Sequence, residues 1–119
     1  MREKSPRLTV ESEGDITAVA LTDRRILDEI NINEIGHQLG ALVSQADRPK
    51  IVLDFANVAH MSSSALGMLI TLHKRVAEKQ GQLRLCNIQP TIFEVFAITR
   101  LNEIFTICGS RQEALDSLK

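Results

Sequence analysis

The sequence predicts a single α/β domain built on a mixed, mostly parallel sheet of four to five strands, with an N-terminal hairpin and about four helices. Strand-like and helix-like segments alternate in the order β-β-α-β-α-β-α-β-α, which is typical of layered α/β domains. The central run Ile51–Phe55 is short and largely apolar, as in a strand buried on both faces. Leu8–Ser12 and Ile16–Leu21 alternate around a short turn that contains Gly14, and this pattern indicates an antiparallel hairpin.

The composition indicates one globular domain and narrows the functions open to it. The 119 residues are 44% hydrophobic and 24% charged, which is enough to bury a core. A net charge of −1 gives no electrostatic reason to bind nucleic acid or an anionic membrane, and the absence of Trp and Tyr argues against a base-stacking surface. No apolar run approaches the roughly 20 residues that span a bilayer, and the charged residues 1–7 show no signal-peptide pattern. We therefore expect a cytoplasmic protein with a flexible N-terminus at residues 1–7 and one domain at residues 8–119.

One helix is predicted between the hairpin and the central strand. Thr22–Asn31 is a charged connection, and Asn33 is a suitable N-cap for a helix that reaches about Gln45. Pro49 then separates this helix from the central strand.

After the central strand, three serines, Ser62, Ser63 and Ser64, precede an apolar-rich segment at helical spacing. Serine is a preferred N-cap because its hydroxyl accepts a hydrogen bond from a free N–H of the first turn. When Ala65–Gln80 is wound as a helix, its apolar residues cover roughly 200° of the surface, about twice the width that packing on a sheet requires. Either this helix has neighbours on two sides, or part of its apolar face is free for a partner.

The second half of the chain predicts two further strands, each followed by a helix. Gly81 fits the C-cap of the serine-capped helix, and Gln82–Cys86 has a strand pattern. Pro90 suits the first position of the next helix. Ile104–Ile107 is expected to be a short strand, and Ser110–Leu118 a last helix capped by its serine. The stripe expected to be buried on the helix after Pro90 comprises Ile92, Val95, Phe96 and Thr99.

Motifs of common enzymes are absent from the sequence. It has no Walker loop, no Rossmann glycine fingerprint, no HExxH and no G-x-S-x-G. His60 is close in sequence to Ser63 and Ser64, with Asp54 as the nearest carboxylate, but adjacency in sequence is weak support for a hydrolase. We predict that the protein is not an enzyme, with no catalytic residue, no cofactor and no metal site.

Three further side chains are interpreted as parts of the core. Cys86 and Cys108 each end a strand-like run and are predicted to be small buried hydrophobic residues rather than redox groups. His73 falls within the apolar arc of the serine-capped helix and is predicted to be a core histidine.

The serine cluster has two interpretations. Helix capping alone is the commoner role, but capping needs one hydroxyl and the cluster supplies three. Ser64 projects onto the polar side of the helix, where the N-terminal dipole would tolerate a phosphate, so it is a suitable phosphorylation target. Because no Lys, Arg, Asp or Glu lies between Phe55 and His73, a phosphate charge of about −1.5 to −2 would have no basic partner within that stretch.

Two segments resemble the signature of STAS domains, the family of anti-sigma factor antagonists. They are DFANVAHMSSSALG at residues 54–67 and LRLCNIQPTIFEVFAITRLNEIFTI at residues 83–107. The first resembles the part of the family signature in which a strand ends, a hydroxyl cluster follows and a helix begins. The second resembles a later strand, a helix that begins with proline, and the Phe-containing segment that follows this helix. The resemblance covers nearly the whole chain from Leu8 and implies that residues 8–119 form a STAS domain.

This resemblance implies a regulatory switch. The unmodified domain would bind a GHKL-type serine kinase that acts as an anti-sigma factor, and so free the sigma factor. Phosphorylation at the position matched by Ser64 would block that binding, and a PP2C-type phosphatase is a further candidate partner. Ser62 stands where many members have Asp. The alternative is a non-phosphorylated STAS scaffold subunit that docks on a sensor, transporter or signalling complex.

The predicted site therefore consists of one modified residue and a binding surface. Phosphorylation is assigned to Ser64, with Ser63 as the second choice. Met68 and Leu72 are placed at one margin of the apolar arc, where a partner would reach them. The residues assigned to partner binding are Asp54, Ser62, Ser63, Ser64, Met68 and Leu72.

Overall fold

The computed structural model describes residues 8–119, so the predicted flexible N-terminus at residues 1–7 lies outside the described residues. In the described part, no helix is both long and apolar enough to cross a membrane. In chain order, the elements are β1 (Leu8–Glu13), β2 (Ile16–Leu21), β3 (Arg25–Ile26), α1 (Glu29–Ser44), β4 (Lys50–Asp54), β5 (His60–Met61), α2 (Ser63–Glu78), β6 (Gln82–Cys86), α3 (Pro90–Ile98), a 3₁₀ turn (Leu101–Glu103), β7 (Thr106–Cys108) and α4 (Arg111–Asp116).

The predicted fold class is confirmed. The main sheet has five strands in the order β1-β2-β4-β6-β7, and a separate small sheet pairs β3 with β5. β1 is antiparallel to β2, whereas β2, β4, β6 and β7 are mutually parallel. The hairpin turn contains Gly14 in the left-handed region at φ +64°, which glycine adopts without a steric penalty.

The central strand β4 is buried on both faces because two clusters cover it. Ile51 and Leu53 point into the large cluster, which also contains the buried residues of α1 and α2. Val52 points the other way, into a smaller cluster beneath α4. This alternation explains why the run is continuously apolar, since each fully buried aliphatic side chain contributes about 1.5–3 kcal/mol.

Helix α1 begins four residues before its predicted cap, so the prediction of Asn33 as the N-cap was wrong. Asp28 is the cap, because its carboxylate accepts a hydrogen bond from the Ile30 N–H at 2.8 Å. The predicted charged connection Thr22–Asn31 also contains the short strand β3.

Three local predictions in the second half need correction. Gln80, rather than Gly81, takes the left-handed conformation after α2, and Gly81 is required because a Cβ there would clash with Pro49. Strand β7 begins two residues late because the N–H groups of Ile104 and Phe105 donate to the Leu101 carbonyl of the preceding 3₁₀ turn. Helix α3 contacts the domain through a narrower stripe than predicted. Of the four stripe residues, Ile92 and Phe96 are buried, whereas Val95 and Thr99 are exposed.

Candidate functional site

The loop between β4 and α2 is anchored at both ends, which fixes the position of the serines. Phe55 is fully buried, and its N–H donates to the Cys86 carbonyl at 2.9 Å. On the other side, the backbone pairs with β3. The Ala59 N–H donates to the Arg24 carbonyl at 2.8 Å, and the Ser62 N–H donates to the Ile26 carbonyl at 3.1 Å.

Ser62 has a different environment from Ser63 and Ser64. Ser62 is the N-cap of α2, and its hydroxyl accepts a hydrogen bond from the Ala65 N–H at 3.2 Å. Ser63 and Ser64 are exposed in the first helical turn, which contains no acidic residue. The fold therefore uses one hydroxyl and leaves two at the surface.

The wide apolar arc of α2 is covered on two sides but not completely. Its buried residues face the sheet and α1, whereas Met68 is half-buried and Leu72 is 4% exposed. Met68 and Leu72 both line a groove between α1 and α2, so a partner would reach Leu72 only at the floor of that groove. The buried residues of α2 are Ala65, Leu66, Leu69, Leu72 and Val76.

Asp54 has structural partners away from the serines. Its carboxylate accepts hydrogen bonds from the Ala56 N–H at 2.9 Å and from Asn87 Nδ2 at 3.0 Å. Arg111 of α4 is 3.9 Å from the same carboxylate. Because Asp54 follows Val52 at an interval of two, its side chain lies on the α4 face of the sheet. The structure thus separates Asp54 from the α2 face.

His60, the residue considered for a hydrolase, is exposed and pairs with Arg25 across the small sheet. Its nearest carboxylate in sequence, Asp54, is held by Asn87 and Arg111. Residues 8–119 contain no group of three His, Cys, Asp or Glu side chains that could hold a metal ion. The geometry gives no support to the hydrolase interpretation.

Arg25 is a residue near the site that sequence reasoning missed. Strand β3 brings this exposed cation beside His60, two residues before the serine cap. The stretch around the serines lacks charge in the sequence, but it has a basic neighbour in space. The signal in the sequence was an aliphatic residue, Ile26, directly after Arg25 in a charged connection.

The three other side chains predicted to lie in the core are buried to different degrees. Cys86 is fully buried, and burial raises the pKa of its thiol to about 12, with the Asp54 carboxylate as a smaller cause. Cys108 is only half-buried. His73 is half-buried against the edge of Phe105, with ring centroids 5.4 Å apart.

The described residues thus form a small α/β domain in which a serine cluster at the start of α2 stands beside a groove between two helices. The model of the STAS domain family matches residues 7–114 of this chain. The chain therefore belongs to the STAS domain family.

Relatives and solved structures agree with this assignment. BtrV of Bordetella bronchiseptica, named as a candidate anti-sigma factor antagonist, is 30% identical over 94 residues, which cover 79% of this chain and 80% of the relative. The anti-sigma F factor antagonist of Paenibacillus polymyxa is 25% identical over 93 residues, covering 78% and 80%. A STAS-domain anti-sigma-factor antagonist from Planctomyces limnophilus superposes with a TM-score of 0.85 at 26% identity, covering 93% of this chain and 97% of that one. The chain is thus a STAS domain similar to anti-sigma factor antagonists.

Proposed function

We propose that this chain is a partner switch of the anti-anti-sigma type. In its unmodified form it binds a GHKL-type serine kinase that acts as an anti-sigma factor, and phosphorylation of Ser64 ends the binding. The observation that carries this proposal is the unequal use of the serines. Ser62 is occupied as a cap, whereas Ser64 is exposed one turn before Met68. Relatives named as anti-sigma factor antagonists support the choice of partner.

Ser64 is preferred to Ser63 because of the direction of its side chain. Residues four apart lie on the same face of a helix, so Ser64 is above Met68 at the groove, whereas Ser63 is above exposed Gly67. A phosphate on Ser64 would stand directly beside the apolar contact surface. A partner that covers Met68 would then have to desolvate a dianion, which is costly.

The phosphorylation is chemically compatible with this helix start. The serine oxygen forms a new bond to the γ-phosphorus of ATP, ADP leaves, and the hydroxyl proton passes to the base of the kinase. The helix end accommodates the product, because N-terminal N–H groups and the helix dipole favour negative charge. The modification should therefore change the surface without unfolding α2.

The binding surface in this proposal comprises the serine cluster and the α2 side of the groove. Met68 would be its apolar anchor, Leu72 would form the floor, and Asp54 would act indirectly by holding the β4 end through Asn87 and Arg111. A PP2C-type phosphatase would reverse the switch, and the system would operate in the cytoplasm.

The direct test is incubation with ATP and the GHKL-type kinase encoded closest to this chain's gene, followed by phosphosite mapping by mass spectrometry. We expect one phosphate, on Ser64, and no incorporation in Ser64→Ala. Ser110→Ala, which removes the serine cap of α4, is the matched control and should be phosphorylated normally. Phosphate on Ser62 or Ser63, or on none of the three, would defeat the assignment.

A second candidate function is a scaffold subunit that is never phosphorylated and docks on a sensor, transporter or signalling complex. The observation that favours it is a set of exposed apolar side chains around α3, of which Ile98 is 82% exposed. In that case the kinase would leave the chain unmodified, and substitutions around α3 rather than α2 would disrupt assembly. The exposed apolar residues of this region are Phe93, Val95, Ile98 and Ile104.

A further inference from the structure

The groove between α1 and α2 has a volume of about 220 Å³ and open access to solvent. Helix α1 follows β2 and helix α2 follows β4, and these strands are parallel neighbours, so the two helices run side by side in the same direction. One side of the groove extends from Ile32 to Gly40, and the other from Met68 to Arg75. Each side is therefore about 10 Å long, or two helical turns.

Two glycines of α1 give the groove its depth. A Cβ at Gly36 would come within 3.2 Å of Met68 Cγ, and a Cβ at Gly40 would collide with the Arg75 guanidinium. At the far end, Lys79 Nζ donates to the carbonyls of Val43 and Ser44 at 3.1 Å each, which ties the two helices together. The groove is thus a feature of a fixed helix pair.

The two ends of the groove differ in charge. Its floor contains the apolar side chains Ile32 and Leu72, and Arg75 stands at the end far from the serines. Within residues 8–119, Arg75 forms no ion pair. Ser64 lies one turn before Met68 and marks the opposite end, about 16 Å from Arg75 along the helix axis.

We propose that this groove receives an amphipathic helix of the kinase partner, with apolar residues on the groove floor and a carboxylate facing Arg75. The groove is two helical turns long and has Ile32, Met68 and Leu72 as its apolar lining, so it suits anchors at positions i, i+3 or i+4, and i+7 of such a helix. The exposed Arg75 guanidinium, which has no ion-pair partner among residues 8–119, supplies the charge complementarity, because arginine binds carboxylates in a bidentate geometry. This inference rests on the proposed function and specifies the chemistry of its partner.

The same arrangement explains how one phosphate could stop binding. A dianion on Ser64 would lie one turn before Met68, at the serine end of the groove, so a segment seated in the groove would have to cover and desolvate it. The switch then acts at the serine end of the groove and requires no rearrangement of the fold.

The test compares two charge reversals that are adjacent in sequence. Arg75→Glu changes a groove residue, whereas Lys74→Glu makes the same charge change on an exposed residue outside the groove. In calorimetric titrations with the purified kinase, we expect Arg75→Glu to weaken binding about tenfold or more and Lys74→Glu less than about twofold. Equal weakening by both variants would indicate a long-range charge effect and would overturn the inference.

Two further outcomes separate this inference from the proposed function. If the kinase binds wild-type protein and Arg75→Glu equally well, the groove is not the docking site, although the switch stands. If the kinase does not bind the wild-type protein, the proposed function fails and the inference fails with it. Methyl NMR adds a direct readout, because the kinase should shift the Met68 methyl signal, identified by its loss in Met68→Leu. An unshifted Met68 signal in the bound state would contradict docking in the groove.

Discussion

Helices α2 and α4 both begin with a serine cap, but the two helix starts differ in the groups that stand beside the cap. Ser62 accepts from the Ala65 N–H at 3.2 Å, and Ser110 accepts from the Glu113 N–H at the same distance. In α4, the Glu113 carboxylate also accepts a hydrogen bond from the Gly109 N–H at 3.1 Å, so a negatively charged side chain already occupies this helix start. Helix α2 has no first-turn carboxylate and carries two exposed serines instead. The cap is therefore a structural feature, and the unused hydroxyls beside a groove are what distinguish α2.

The two helices also differ in how firmly the fold holds them. Helix α2 has sixteen residues and packs on the large cluster, whereas α4 has six residues and covers the small one. A long, well-anchored helix can carry a new charge at its exposed first turn without coming loose. A short helix at the end of the described chain has less burial to offset such a change.

The largest change in stability is expected between substitutions on the buried side and on the exposed side of α2. Leu69 is fully buried, so Leu69→Lys should lower the free energy of unfolding by several kcal/mol, because its charge is stranded in the core. Met68→Lys should cost much less, since the long side chain can bring its ammonium to solvent along the groove. It should nevertheless weaken kinase binding about tenfold or more. A large drop in melting temperature for Met68→Lys would show that Met68 belongs to the core.

The next effect concerns the α4 face, where the pKa of Cys86 is raised to about 12 by burial. The unfolded thiol has a pKa of 9.0, so between pH 9 and pH 12 the unfolded chain loses this proton while the folded chain keeps it. The contribution of Cys86 to stability is complete below that window and declines as the pH rises through it. Denaturant unfolding across this range should give a shallower decline for Cys86→Ala than for the wild type. Cys108→Ala is the control, and an unchanged slope in Cys86→Ala would contradict the burial of the thiol.

The smallest changes in stability are expected for substitutions of the serines, which have different roles at the start of α2. Ser62→Ala should lower the free energy of unfolding by about 1 kcal/mol, because a first-turn N–H loses its acceptor. Ser64→Ala should change it by only a few tenths of a kcal/mol, as is usual for exposed positions. Equal losses in chemical denaturation would mean that Ser64 also supports the helix start.

Much of the fold could be predicted because the pattern of the chain and its packing agree. The continuous apolar run of β4, the glycine turn of the hairpin and the Pro90 start of α3 each specify their element locally. Predictions failed where a tertiary contact decided the outcome. Strand β3 is two residues long and exists through its pairing with β5, and Gly81 is fixed by Pro49 rather than by its own backbone angles.

The candidate site was predictable in part for the same reason. Helical periodicity indicated that the serines differ in direction, and the structure accordingly has Ser62 as cap and Ser64 exposed. The groove could not be derived from α2 alone, because its other wall is α1 and its depth depends on Gly36 and Gly40. The basic neighbour Arg25 was equally hidden, since it is far from the serines in sequence.

In the proposed switch, a phosphate on Ser64 ends partner binding without unfolding the domain. The most direct measurement is the affinity of the kinase for unmodified and for Ser64-phosphorylated protein, by isothermal titration calorimetry, with circular dichroism of both forms. We expect the phosphate to weaken binding by about a hundredfold or more while the spectrum and melting temperature stay unchanged. Equal affinity for the two forms, or a loss of binding accompanied by unfolding of the phosphorylated form, would contradict the proposed switch.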